Sequence, residues 1–141
     1  MYLDTFWSIY NTTADDGATP LNMQCIYEKP DYPLHLELQE PSAIDLLVTV
    51  GKPTSTPMMK HDLTPRGYEE QVPIKIYAIN KTGISGSLAV WEGEDELRRI
   101  VDENPTGSQR GLKGLRDNDQ NLGSTTLYCT ECLLTYRRDT T

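Results

Sequence analysis

The chain has 141 residues, 37% of them hydrophobic and 24% charged, which suffices for one substantial core and gives no reason to divide it into two. Thirteen Lys and Arg against 21 Asp and Glu leave a formal charge of -8, which disfavours broad electrostatic attachment to nucleic acid or to an anionic membrane. No apolar run is long enough to cross a bilayer, the first residues lack a secretory signal, and three cysteines cannot all pair within one chain, so the composition points to a reducing, cytoplasmic setting.

Met1 to Tyr10 is aromatic and apolar enough to dock, with Phe6, Trp7, Ile9 and Tyr10, and a short helix is one expectation for it. Asn11 to Pro20 has turn-forming composition, and Leu21 to Ile26 reads as a strand interrupted afterwards by Pro30 and Pro33. Residues 1–33 together read as a peripheral or partner-binding arm. Leu34, Leu36 and Leu38 alternate with polar residues as in a half-buried strand, and Ile44, Leu46, Val48 and Val50 do so more clearly, with Leu47 allowing burial on the second face.

Residues 51–70 read as a long proline-rich loop, with Pro53, Pro57 and Pro65 among small polar residues. Val72, Ile74, Ile76 and Ala78 form the next alternating face, with Tyr77 and Ile79 opposite. A helix is then expected over Ser87–Asn104. Its apolar stripe is assigned to Leu88, Val90, Trp91, Leu97, Ile100 and Val101, and its wet side to Glu92, Glu94, Asp95, Glu96, Arg98, Arg99, Asp102 and Glu103. Pro105 ends it, because proline has no N–H to donate and disfavours a helical residue before it.

Leu112 and Leu115 suggest a short packed edge, followed by a polar turn at Arg116 to Asp119. In the last strand, Thr126 to Arg138, Leu127, Cys129 and Leu133 share one face while Tyr128, Cys132, Leu134 and Tyr136 share the other. The expected class is α+β: an antiparallel or mixed sheet covered by one main helix, in one domain over 1–141, after an irregular N-terminal section.

Cys129 and Cys132 are spaced as in zinc or dithiol motifs, yet on a strand they point to opposite faces, so the favoured reading is two small packed side chains. Zinc held by Cys25, Cys129 and Cys132, with His35 or His61 as a fourth ligand, is the alternative. The glycines at 107, 111 and 114 lack the order of a phosphate loop. Glu92, Glu94, Asp95 and Glu96 read as an exposed helix surface, and Asp117 and Asp119 as a solvated turn without the full ligand pattern of a calcium loop. No catalytic residue and no cofactor is assigned.

The pattern of Val72 to Ile79, the acidic amphipathic helix around Leu97 to Val101, and the strand Leu127 to Tyr136 ending in Arg137 and Arg138 resembles the small tail-terminator and head-tail joining proteins of tailed bacteriophages and prophages, over roughly Pro41 to Arg138. The resemblance implies a non-enzymatic α+β subunit of a homo-oligomeric, hexameric ring that contacts tail-tube or head-connector proteins, with no membrane and no specific nucleic-acid partner, in the cytoplasm during assembly and then in the particle. Within such a ring, Glu92, Glu94, Asp117 and Asp119 are candidate lumen or rim acids that would repel passing DNA, and Arg98, Arg99, Arg137 and Arg138 are candidate intersubunit charge partners. The alternative function is a small intracellular protein-binding or regulatory domain.

Overall fold

The computed structural model describes residues 21–28, 38–39, 43–59, 65–103 and 110–139, with the backbone alone at 65–66, 103, 110 and 138–139. Strand β1 (Met23–Tyr27) runs parallel to β2 (Leu46–Val50), which pairs antiparallel with the long β4 (Pro65–Ala78). β4 pairs antiparallel with β7 (Thr126–Asp139), and β7 with β5 (Arg110–Asp117), giving the order β1-β2-β4-β7-β5. β3 (Thr54–Met59) continues along β4 beyond β2, and β6 (Gln120–Asn121) continues along β7 beyond β5. One helix, α1 (Gly86–Glu103), lies on one face. The architecture is the expected α+β one.

The alternating sequences bury both faces of this sheet. On the helix side, Leu46, Val48, Val50, Val72, Ile74, Ile76, Ala78, Cys132 and Leu134 form one core with Ala89, Val90, Leu97 and Val101. On the opposite side, Leu47, Tyr77, Ile79, Leu127 and Cys129 pack with Leu38. Period-two side-chain geometry alone assigns Cys129 and Cys132 to different faces, as expected from their odd spacing. Each fully buried Leu or Ile contributes about 1.5–3 kcal/mol of transfer free energy, so these two clusters dominate the stability.

α1 starts where the chain leaves β4. The Ser85 carbonyl accepts the first helical bond from Ala89 N–H (2.9 Å), and the Asn80 side chain accepts one from Gly86 N–H at 2.8 Å. Together they satisfy donors that a helix start otherwise leaves unpaired. The intervening turn is closed by paired bonds between Lys81 and Ile84 and places Gly83 at φ 79°, a conformation glycine adopts without a Cβ clash.

The face that α1 buries differs from the one expected. Ala89, Val90, Gly93, Leu97 and Val101 face the sheet and Ile100 is also buried, whereas Leu88 and Trp91 are 51% and 58% exposed. Glu96, assigned to the wet side, is 2% exposed, and its carboxylate accepts hydrogen bonds from Arg99, one of them from Nε at 3.0 Å. Small residues at 89 and 93 let the helix backbone approach closely. A Cβ on Gly93 would lie 3.1 Å from Ile76 and 3.3 Å from Leu46. A large apolar residue therefore does not mark the contact face in the first turns.

Residues 51–70 are also not a loop throughout. Thr54–Met59 forms β3, and β4 already begins at Pro65, so only a short connection lies between them. Pro57 is tolerated because, among the described strands, β3 is bonded only to β4 and lies at an edge. β2 and β3 form one interrupted ladder along β4. Val50 is opposite Ile74 and Thr54 opposite Gln71, with Gly51 N–H bonding the Pro73 carbonyl (2.8 Å) at the interruption. Of the expected packed edge, Leu112 is buried, while Leu115 sits at a bulge and is 52% exposed. The expectations for Met1 to Pro20, Leu34, Leu36, His35, His61, Asn104 and Pro105 fall outside the described residues.

Candidate functional site

The candidate residues from the sequence separate into four places. Glu94 and Arg98 pair within α1 (3.0 Å), and Arg98 also donates to the Leu112 carbonyl of β5 at 3.0 Å, so this pair fastens the helix to the edge strand. Arg99 is held by the buried Glu96, and Glu92 lies with Asp95 on the rim of a shallow hollow over that pair. Asp117 accepts a bond from the Thr130 hydroxyl (2.9 Å) and Asp119 one from the Cys129 N–H (3.1 Å), so both acids shape the β5–β6 passage. Arg137 is exposed at the far end of β7, about 26 Å along the strand from Cys129 at ~3.3 Å per residue. The side chain of Arg138 is outside the description. These acids and arginines do not converge on one site.

The cysteines do not converge either. Cys25 lies on β1, three strand spacings from β7, or about 14 Å at ~4.8 Å each. Among the described residues no group of three His, Cys, Asp or Glu side chains is placed to hold a metal. Burial first, and the Glu131 carboxylate second, push the Cys129 thiol up to about 11 from 9.0. Burial, with Glu94 adding to it and Arg98 opposing it, pushes Cys132 up to about 12. Burial likewise raises the Tyr77 phenol, which hydrogen-bonds with Cys129.

Neutral thiols are poor nucleophiles. In the native protein at pH 8, partly exposed Cys25 is expected to react first with a thiol reagent, with Cys129 and Cys132 labelled only on unfolding. Equal rates at all three would contradict their burial. Because both folded thiol values lie above 9.0, the stability linked to them is present below pH 9 and is lost as the pH rises toward 11 and 12. A urea midpoint followed from pH 8 to pH 11 is therefore expected to fall.

An open hollow of about 610 Å³ lies at the end of β4, lined by Gln39, Ile79, Asn80, Lys81, Thr82 and Thr125. Among the described residues that line it, the one cation is already committed to structure: Lys81 Nζ donates to the Ile44 carbonyl (2.6 Å) and lies 3.6 Å from Asp45. Asp45 in turn accepts from Asn22 N–H (2.8 Å), tying the entry of β1 to β2. Among the described residues lining it, none pairs a nucleophile with a base.

The most organised polar feature lies on the sheet face opposite α1, and sequence reasoning missed it. Glu28 follows β1, Lys75 is on β4, Glu131 on β7 and Arg116 on β5. Lys75 Nζ is 3.4 Å from Glu28 and 3.8 Å from Glu131, and Arg116 pairs with Glu131. The result is an alternating acid–base row that crosses the sheet and ends on an acid at the β1 edge and a base at the β5 edge. Lys75 and Glu131 are direct cross-strand partners, but no local motif announces a pair 56 positions apart. Beside the ends of this row stand exposed apolar groups, Tyr27 (56%) on β1 and Leu115 on β5.

No helix among the described residues is long and apolar enough to cross a membrane. Compared with protein-family models and with curated proteins, the chain matches none.

Proposed function

We propose that this protein is a non-enzymatic structural subunit that assembles with copies of itself into a ring, at the tail end or head-tail junction of a phage or phage-like particle. The observation that carries the assembly part of this reading is the exposure, among the described residues, of large apolar side chains, Leu88 and Trp91 on the helix and Leu115 on β5. Large apolar side chains left exposed on a subunit are surfaces that a partner can cover. The particle context rests on the resemblance of the strand–helix–strand pattern between Val72 and Arg138. The engagement of Glu94, Asp117, Asp119, Arg98 and Arg99 inside the subunit supports a narrower version, in which exposed apolar side chains rather than those charges make the contacts between copies.

Light scattering during size-exclusion chromatography, with negative-stain imaging of the same fractions, tests the reading. A discrete oligomer with a central opening is expected. A monomer at every concentration up to about 1 mM would sink it.

A further inference from the structure

From the packing of α1 along β5 we infer that two copies of this chain meet two-fold at the seam between helix and strand, with Trp91 of each over the other's Leu115 and Asp95 of each over the other's Lys113. The inference deepens the assembly reading and rests on its claim that copies of this chain meet, while its specific content comes from geometry within one subunit.

Two contacts fix the seam. Arg98 donates to the Leu112 carbonyl (3.0 Å), and a Cβ on Gly114 would lie 2.6 Å from a Glu94 carboxylate oxygen, so stepping back four residues along α1 advances two along β5. Four helical residues rise about 6 Å and two strand residues about 6.6 Å, so the match continues along both elements. Trp91 precedes Glu94 and Arg98 by three and seven positions on one helix stripe. It therefore stands on the β5 side, level with the bulge that holds Leu115. Among the described residues, both side chains are more than half exposed.

Charge is ordered across this seam. Successive helical residues turn by about 100°, which carries Asp95 about 40° further from the sheet than Trp91, where it is exposed together with Asp102. Beyond Leu115, Lys113 and Arg116 lie on the face of β5 away from the helix. Lys113 is level with Leu133 and Arg116 with Glu131, whose side chains point opposite to those of Cys132 and Leu134 in the helix-side core. From the outer side of α1 to the far face of the sheet, the order is acid, Trp91, Leu115, base.

That order is complementary to itself when reversed. Turning a second copy by half a revolution about a line parallel to β5, midway between Trp91 and Leu115, reverses the order and keeps positions along the strand. Trp91 then meets the second copy's Leu115, and Asp95, one turn along α1 toward the level of Gly114, meets its Lys113. Each contact occurs twice, as a two-fold interface requires. A two-fold axis along the sheet normal would instead set Asp95 level with Asp95 and Lys113 level with Lys113, which like-charge repulsion disfavours. The chosen contact closes on itself, so a ring that contains it has an even number of copies.

Charge reversal tests the pairing. Asp95→Lys and Lys113→Glu, both at exposed positions, are each expected to raise the half-pairing concentration at least about tenfold in sedimentation velocity. The double variant, and an equimolar mixture of the two singles, are expected to recover most of that loss, the mixture as a 1:1 pair. Asp95 and Lys113 lie on opposite sides of β5, so recovery cannot arise within a subunit. Trp91→Ala and Leu115→Asp are expected to weaken pairing with circular dichroism unchanged, and hydroxyl-radical labelling of both native side chains to fall as protein concentration rises. Labelling that stays low on dilution would mean that another part of the same chain covers the seam, and would overturn the pairing. Rings that ignore all four substitutions, or that hold an odd number of copies, would overturn the pairing and leave the ring reading standing. Pairs that obey the charge swap and grow no further up to about 1 mM would do the reverse. A wild-type protein that stays monomeric over that range overturns both.

Discussion

Truncating Leu97 to alanine is expected to lower the unfolding free energy by about 3 kcal/mol, whereas Trp91→Ala and Leu88→Ala are each expected to cost less than about 0.5 kcal/mol. Leu97 is fully buried between α1 and the sheet, so its loss removes transfer free energy and leaves a cavity that the long β4–β7 pair is too rigid to close. Trp91 and Leu88 are on the same helix but face away. Urea unfolding followed by circular dichroism separates the cases at low protein concentration, where assembly does not contribute. An equal cost for Trp91 and Leu97 would mean that the helix packs in the phase first expected from its large apolar residues. The small cost for Trp91 also keeps it available as an assembly readout, since its removal leaves the subunit intact.

Gly51→Ala is expected to destabilise by about 2 kcal/mol, the range for forcing a methyl into filled space. A Cβ at this position would sit 2.6 Å from Cγ and 3.5 Å from Cβ of Pro73, and 2.7 Å from a Glu28 carboxylate oxygen. The carboxylate is the end of a flexible chain and can move, but the proline ring cannot. Pro73→Ala removes Cγ and leaves only the ordinary contact to Cβ, so adding it to Gly51→Ala should restore roughly half of the loss. Thermal melts of the two single variants and the double variant form the cycle. Additive costs would show that the ring is not what Gly51 avoids.

The strands were readable where both requirements of a strand were visible in the residues: alternation and the absence of a competing breaker. Leu46 to Val50 and Val72 to Ile79 meet both, and the division of Leu127 to Tyr136 into two faces follows from period two alone. β3 was missed because Pro57 and its small polar residues spell a turn, and only pairing with β4 makes Thr54–Met59 extended. The phase of α1 was misjudged because counting large apolar residues favours Leu88 and Trp91. The sheet surface instead selects Ala89 and Gly93, whose small size admits Leu46 and Ile76.

Taken alone, the amino-acid sequence determined the α+β class, the main helix and its approximate limits, and the opposite facing of Cys129 and Cys132. All of these follow from local periodicity, since a side chain's direction depends on its own backbone. Tertiary structure decided strand order, register, which helix face is covered, and where charges meet. Glu28, Lys75, Glu131 and Arg116 carry no signal in their neighbours, and become a row only because four strands from distant parts of the chain lie level with one another. Hydrophobic burial sets that register through Val50, Ile74 and Cys132 in the core, and the edges inherit it.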